Sequence, residues 1–302
     1  MSIRFPSKVK AIKAKLAACV LSVLVLALAA ALLGACTTSA PSSSSTTSSA
    51  TSSASEPKAE LQIFAANSLE KALPEVQALY TKANPNVTFA DSQFKGSGDL
   101  VTQLQGGATA DILITASAAT MDTANTNGSI DPATRTNMFN NDLIVVVPTG
   151  AVTTITSLDD VKSPDFTRIA IGDADAVPAG AYANQSLHTI GLYSDASGKG
   201  GEYLEGFGDK VVIQSTVGNV AKTVSTGDCQ IGFVYTSDLY RYDGIESAFT
   251  VPADTHKAIV YPGAVVKGSA YADAAAKFLD FCLTDPDALK IWAQYGFEVA
   301  AK

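Results

Sequence analysis

Leu143-Ile144-Val145-Val146-Val147, closed by Pro148, is an unbroken apolar run without the polar alternation of a strand that has one face in water. Three stretches of the same kind stand at Asp111-Ile112-Leu113-Ile114-Thr115, Arg168-Ile169-Ala170-Ile171-Gly172 and Ile231-Gly232-Phe233-Val234-Tyr235. Shorter strands are read at Leu61–Ala65 and Asn86–Ala90. Between them the spacing turns helical. After Ser68, apolar residues fall at Leu69, Ala72, Leu73, Val76, Leu79 and Tyr80, with Pro74 placed to bend the helix early. A second helix opens at Ser97, carries Leu100, Val101 and Leu104, and stops at Gly106-Gly107. Apolar strands alternating with helices imply an α/β fold with mixed, mostly parallel sheets covered on both faces. The length from Glu60 onward suits two lobes with a cleft between them. Leu143–Val147 and Lys257–Val266 are read as crossovers. Lobe 1 is then 60–139 plus 267–302, and lobe 2 is 140–266. Helices at Ala272–Leu283 and Ala288–Tyr295 return to the first lobe.

The segment before Glu60 is of a different kind. Residues 1–35 carry Arg4, Lys8, Lys10, Lys13 and Lys15 and no acid, and an apolar run from Leu16 ends in Leu33-Gly34-Ala35-Cys36. A basic start, a short apolar core and small residues at its end describe a secretory signal over 1–35. The last four residues resemble the bacterial lipobox, which makes Cys36 a lipidated N-terminus and the protein extracytoplasmic, held to the cell membrane. The alternative is an uncleaved membrane anchor, since about 20 apolar residues can span a bilayer. Residues 37–54 hold 14 Ser/Thr in 18 positions, which makes 36–59 a solvated tether. Cys229 and Cys282 are read as two buried thiols rather than a disulfide.

Without residues 1–35 the chain has 16 bases against 29 acids, a net charge of −13. That balance argues against nucleic acid as a partner, because such binding runs on Lys and Arg neutralising phosphates. Only Arg135, Arg168, Arg241, His188 and His256 remain, too few for a centre built on several histidines.

Four segments share one design, a strand or loop end followed by a helix start. They are Ala65-Ala66-Asn67-Ser68-Leu69, Lys95-Gly96-Ser97-Gly98-Asp99-Leu100, Val177-Pro178-Ala179-Gly180-Ala181-Tyr182 and Thr216-Val217-Gly218-Asn219-Val220. Unpaired N–H groups and a partial positive charge make a helix start an anion site. Two such starts fall in each lobe, so a cleft would face four sets of donors. Taken singly, each segment reads more readily as a plain N-cap or turn than as an anion site.

In this order the segments resemble the molybdate-binding proteins of bacterial ABC transporters. The likeness extends to Gly107-Ala108-Thr109-Ala110-Asp111, Phe139 to Pro148, Val217 to Tyr235 and Tyr295-Gly296-Phe297. It implies a two-lobed periplasmic-binding-protein-like fold, and a monomer that captures molybdate or tungstate and passes it to a permease with its ATPase. It also implies neutral ligands: Ser68, Ser97, the amides of Ala179 and Val217, and the Tyr235 hydroxyl, with Gly96 replacing Ser97 if the helix start shifts by one. No cofactor and no direct metal ligand is expected. The family often carries an aspartate after its third strand, where this chain has Thr115-Ala116-Ser117. No ligand is expected there. Lys95 is read as solvated and Asp111 as structural. Sulfate is the alternative ligand. An enzyme is disfavoured, because neither histidine stands in a motif with a serine and an acid.

Overall fold

The computed structural model describes residues 58–152 and 155–300. The signal, the lipidation site and nearly all of the tether lie outside them. Among the described residues thirteen strands and seven α-helices run in the order β1 (Ala59–Leu61), β2 (Ile63–Ala66), α1 (Ala72–Ala83), β3 (Val87–Phe89), β4 (Gln93–Lys95), α2 (Ser97–Gln105), β5 (Ile112–Ile114), α3 (Ala118–Thr126), β6 (Thr136–Asn140) and β7 (Leu143–Pro148). There follow β8 (Ile169–Gly172), α4 (Pro178–Thr189), β9 (Val211–Gln214), α5 (Val217–Ser225), β10 (Ile231–Tyr235), β11 (Ile245–Thr250), β12 (Val260–Val265), α6 (Ala272–Thr284), α7 (Pro286–Gln294) and β13 (Glu298–Val299).

Two sheets form the two lobes. One is ordered β13-β6-β12-β5-β2-β4 and the other β11-β7-β10-β8-β9, while β1 and β3 make a separate parallel pair. Each large sheet repeats one plan. Its three parallel strands lie in the order second, first, third of their lobe: β4-β2-β5 and β9-β8-β10. An antiparallel strand then joins the third, β12 against β5 and β7 against β10. A sheet with the first strand between the second and third leaves a crevice at the carboxyl ends of its strands, where ligands bind.

The fully apolar stretches take the central places. β2, β5, β8 and β10 are buried along their whole length, and β7 all but its last residue. The polar or half-exposed strands β9 and β11 form edges, and β11 is bulged between Ser247 and Phe249. The chain passes between sheets at Asn141-Asp142 and returns between β11 and β12.

Three expectations are corrected here. β12 lies in the first sheet, paired with β5 and β6, so lobe 2 ends before Val260 rather than at 266. An apolar run does not state which sheet it fills. The sheets are evenly mixed rather than mostly parallel, because β6, β7, β11, β12 and β13 pair antiparallel. The strand read at Leu61–Ala65 is two strands broken at Gln62, whose amide donates to Asp111 Oδ2 (2.8 Å) and whose side chain donates to the Asp91 carbonyl (2.9 Å). Asp111 also accepts from Ser269 Oγ at 2.6 Å, so its carboxylate serves the fold, as expected.

The C-terminal helices pack on the first lobe. Tyr80 of α1 meets Phe278 and Phe281 of α6 at centroid distances of 5.1 and 4.9 Å, and Trp292 of α7 lies 4.4 Å from Phe139 of β6. Pro74 sits in the first turn of α1, where no amide is needed. Cys229 and Cys282 are both free and buried, and burial pushes both thiols above their ordinary range. A buried protonated thiol is a poor nucleophile. Both cysteines should therefore resist a thiol reagent in the native protein and react once it is unfolded; a Cys229–Cys282 disulfide found by peptide mass would contradict this.

Candidate functional site

The four helix starts meet at one narrow cavity. Its lining is Ala66, Asn67, Ser68, Lys95, Gly96, Ser97 and Ala116 from the first lobe, and Val177, Pro178, Val217 and Tyr235 from the second. Its volume is about 10 Å³, the room of one water-sized sphere. Ser68, Ser97, Ala179, Val217 and Tyr235 are all buried. Lys95 lines the rim with its side chain exposed, as expected.

Neither serine is a helix cap. Ser68 sits within a 3-10 turn, Asn67–Leu69, and α1 begins only at Ala72. Ser97 is the first residue of α2, with Gly96 as its N-cap. Their hydroxyls are engaged elsewhere. The Ala116 amide donates to Ser97 Oγ at 3.0 Å, which leaves the serine hydrogen free to turn into the cavity. Ser68 Oγ lies 2.9 Å from Tyr261 Oη. Asn141 Nδ2 can only donate, and it reaches Tyr261 Oη at 3.5 Å and Ser237 Oγ at 2.9 Å. When Tyr261 passes its own hydrogen to Ser68, the serine hydrogen also faces the cavity.

The second lobe contributes backbone and a phenol. Val177 caps α4, so Pro178 and Ala179 form its first turn, where amides have no acceptor within the helix. Thr216 caps α5 by accepting from the Asn219 amide at 3.0 Å, and Val217 is the first helical residue. Tyr235 ends β10. Its amide donates to Asp238 Oδ2 at 2.9 Å, while its buried hydroxyl has no partner. Burial pushes that phenol well above its ordinary range, so it stays a neutral O–H donor.

Close approach of the lobes depends on glycine. A Cβ on Gly96 would stand 2.7 Å from the Ala176 carbonyl oxygen, and one on Gly98 2.5 Å from that of Asp175. The Gly98 amide donates to the Ala176 carbonyl at 2.9 Å, across the cleft. Ser117, which stands where the family often carries aspartate, is the N-cap of α3, its side chain accepting from the Thr120 amide. Neither histidine lines the cavity. His188 faces the Tyr193 carbonyl and His256 that of Lys257, so Ser68 has no base beside it. No Asp or Glu lines the cavity, and no cluster of metal-ligating side chains exists among the described residues. Such a donor set suits an anion held by dipoles.

The model of bacterial extracellular solute-binding proteins matches residues 61–298. The chain belongs to that family. The molybdate-binding protein ModA of Escherichia coli is 32% identical over 248 residues, covering 80% of this chain and 90% of that protein. The periplasmic molybdate-binding protein of Azotobacter vinelandii has the same fold, with a TM-score of 0.66 at 18% identity over 80% of this chain and all of that one. The sulfate-binding protein SubI of Mycobacterium tuberculosis shares the fold at a TM-score of 0.65 and 18% identity, over 80% of this chain and 87% of that one.

The sequence pointed this solute-binding protein to the four helix starts and to Tyr235, and the fold brings them together. It did not point to Tyr261, Ala116 or Asn141, which set the direction of the serine hydrogens. Tyr261 stands in a run legible only as an apolar crossover, and Ala116 acts through its backbone. The unpartnered Tyr235 hydroxyl gives a direct test. Phenylalanine there removes a buried donor that no protein group satisfies. Tyr235→Phe should leave the ligand-free protein at least as stable as the wild type in urea unfolding, while weakening anion binding. A loss above about 1 kcal/mol without ligand would mean that the hydroxyl is bonded within the protein.

Proposed function

We propose that this solute-binding protein captures molybdate, with tungstate as a near-equal ligand, and delivers it to an ABC transporter permease and its ATPase. Ser68, Ser97, the amides of Ala179 and Val217, and the Tyr235 hydroxyl are the contacts; the N-cap Gly96 lies beside Ser97. The observation that carries this reading is the cavity's lining, drawn from both lobes, with donor hydrogens free to face inward and neither carboxylate nor guanidinium among its groups. Similarity to ModA of E. coli supports molybdate as the ion.

The donor set selects by protonation. Phosphate carries a proton near neutral pH and needs an acceptor for it, which this lining lacks in carboxylate form. Molybdate, tungstate and sulfate are dianions that only accept. Among these three, cavity size decides, and the lobes adjust it by closing about the two crossovers. A hydrogen bond to a charged group contributes about 1.5–3 kcal/mol, so five such contacts hold a dianion without a counter-ion. Ser68 is a donor rather than a nucleophile, and the protein is a binder, not an enzyme. In this reading Cys36 carries the lipid, and a single chain works tethered on the outer face of the membrane.

Isothermal calorimetry on the purified protein tests the ligand. Molybdate and tungstate should bind tightly and with similar affinity, and sulfate weakly. Sulfate affinity equal to that of molybdate would overturn the assignment.

A further inference from the structure

Arg241 is the one arginine of the three in the described residues whose side chain is buried, with 1% of its surface exposed. It lies at the end of the 3-10 turn Thr236–Tyr240, just after Tyr235. A buried cation has to be paired. Part of the pairing is within its own lobe, where Arg241 Nη1 bonds Asp238. The rest is across the cleft. Arg241 Nη2 lies 2.9 Å from Glu70 Oε1 and donates to Asn67 Oδ1 at 3.2 Å. Tyr242 Oη donates to Glu70 Oε1 at 3.0 Å, and the guanidinium lies 4.9 Å from the Tyr242 ring centre. Asn67 Nδ2 donates to Glu70 Oε2 at 3.0 Å, and the Gly218 amide donates to Asn67 Oδ1 at 3.0 Å. A Cβ on Gly218 would fall 2.2 Å from Tyr242 Oη and 2.7 Å from Asn67 Oδ1, so only glycine lets these groups meet.

We propose that Glu70, Asn67, Arg241 and Tyr242 form a closure latch, made only when the lobes shut and acting to slow release of the bound anion. This rests on the anion-binding reading above. Asn67 adjoins Ser68, Gly218 adjoins Val217, and Asp238 holds the Tyr235 amide. The latch thus adjoins Ser68 directly, reaches Val217 through the Gly218 amide, and reaches Tyr235 through Asp238. Bringing Ser68 to Val217 is the same movement that brings Asn67 to Gly218. Opening breaks the bonds of Arg241, Gly218 and Tyr242 to the first lobe, and leaves Arg241 with Asp238. Interactions present only in the closed state shift the balance toward it and so prolong occupancy.

The latch does not work by attracting the ion. Two carboxylates surround one guanidinium, so it adds no net positive charge. Burial pushes the Glu70 carboxyl up, but the charge and hydrogen bond of Arg241, with the bonds from Tyr242 and Asn67, outweigh this and hold it below the usual carboxylate range. The pair is therefore ionised at neutral pH.

Glu70→Gln keeps the shape and removes the charge; the Glu70 side chain is 30% exposed, which makes the change mild for folding. In the full chain, release of radiolabelled molybdate into excess unlabelled molybdate should be about tenfold faster for E70Q. The association rate and the ligand-free melting temperature should stay at the wild-type values. Y242F, which keeps the ion pair, should speed release less. Unchanged release in both variants, or a slower association with unchanged release, would overturn the latch. Amide exchange at Gly218 in the anion-loaded protein gives an independent reading, faster in E70Q if the latch holds and unchanged if it does not. A wild type that binds sulfate in place of molybdate would defeat the functional reading, while Gly218 exchange in the sulfate-loaded protein would still decide the latch.

Discussion

Everything at the cleft depends on where four hydroxyl hydrogens point. A serine hydroxyl is both donor and acceptor and can rotate, so alone it recognises nothing. Here Ser97 Oγ accepts from the Ala116 amide, and Ser68 is tied to Tyr261 and through it to Asn141. Tyr235 has no internal partner at all. The hydrogens of Ser97 and Tyr235 are thus free to face the cavity, and that of Ser68 when Tyr261 donates to it, beside the first-turn amides of α4 and α5. In the proposed function, dipoles fixed in advance need no reorganisation when the ion arrives, which is why no cationic side chain is required.

That orientation is a product of the whole fold. Ser68 and Ser97 follow β2 and β4, Ala116 follows β5, and Tyr261 comes from β12, the strand that returns from the other lobe. Asn141 stands at the outward crossing, next to Asp142, whose amide donates to its side chain at 2.9 Å. The two crossings are therefore part of the serine's hydrogen-bond chain as well as the axis of closure. A change at the hinge is felt at Ser68 through Asn141 and Tyr261, with no contact to the ion. The latch around Arg241 lies on one flank of the cavity, and the neutral Gly98–Ala176 bond lies on the other.

The architecture was legible in the sequence wherever burial is complete. Apolar runs without alternation named β5, β7, β8 and β10, and helical spacing named α1 and α2. The edge strands β4, β9 and β11 were not legible, because half-exposed strands carry mixed residues and their pairing is set by neighbours distant in sequence. The same limit placed Val260–Val265 in the wrong lobe. The helix starts of the site were visible as local motifs, since glycine, proline and serine at such positions have local causes. Tyr261, Asn141 and the Glu70–Arg241 pair were not, because their roles exist only once residues far apart in the chain meet.

The central claim is that uncharged dipoles from both lobes enclose the ion. An anomalous difference map at the molybdenum edge, from crystals grown with molybdate, tests it most directly. The account places a single peak within hydrogen-bonded reach of Ser68, Ser97, Tyr235 and the amides of Ala179 and Val217. A peak held instead by Lys95 or an arginine, or lying outside the cleft, would contradict it.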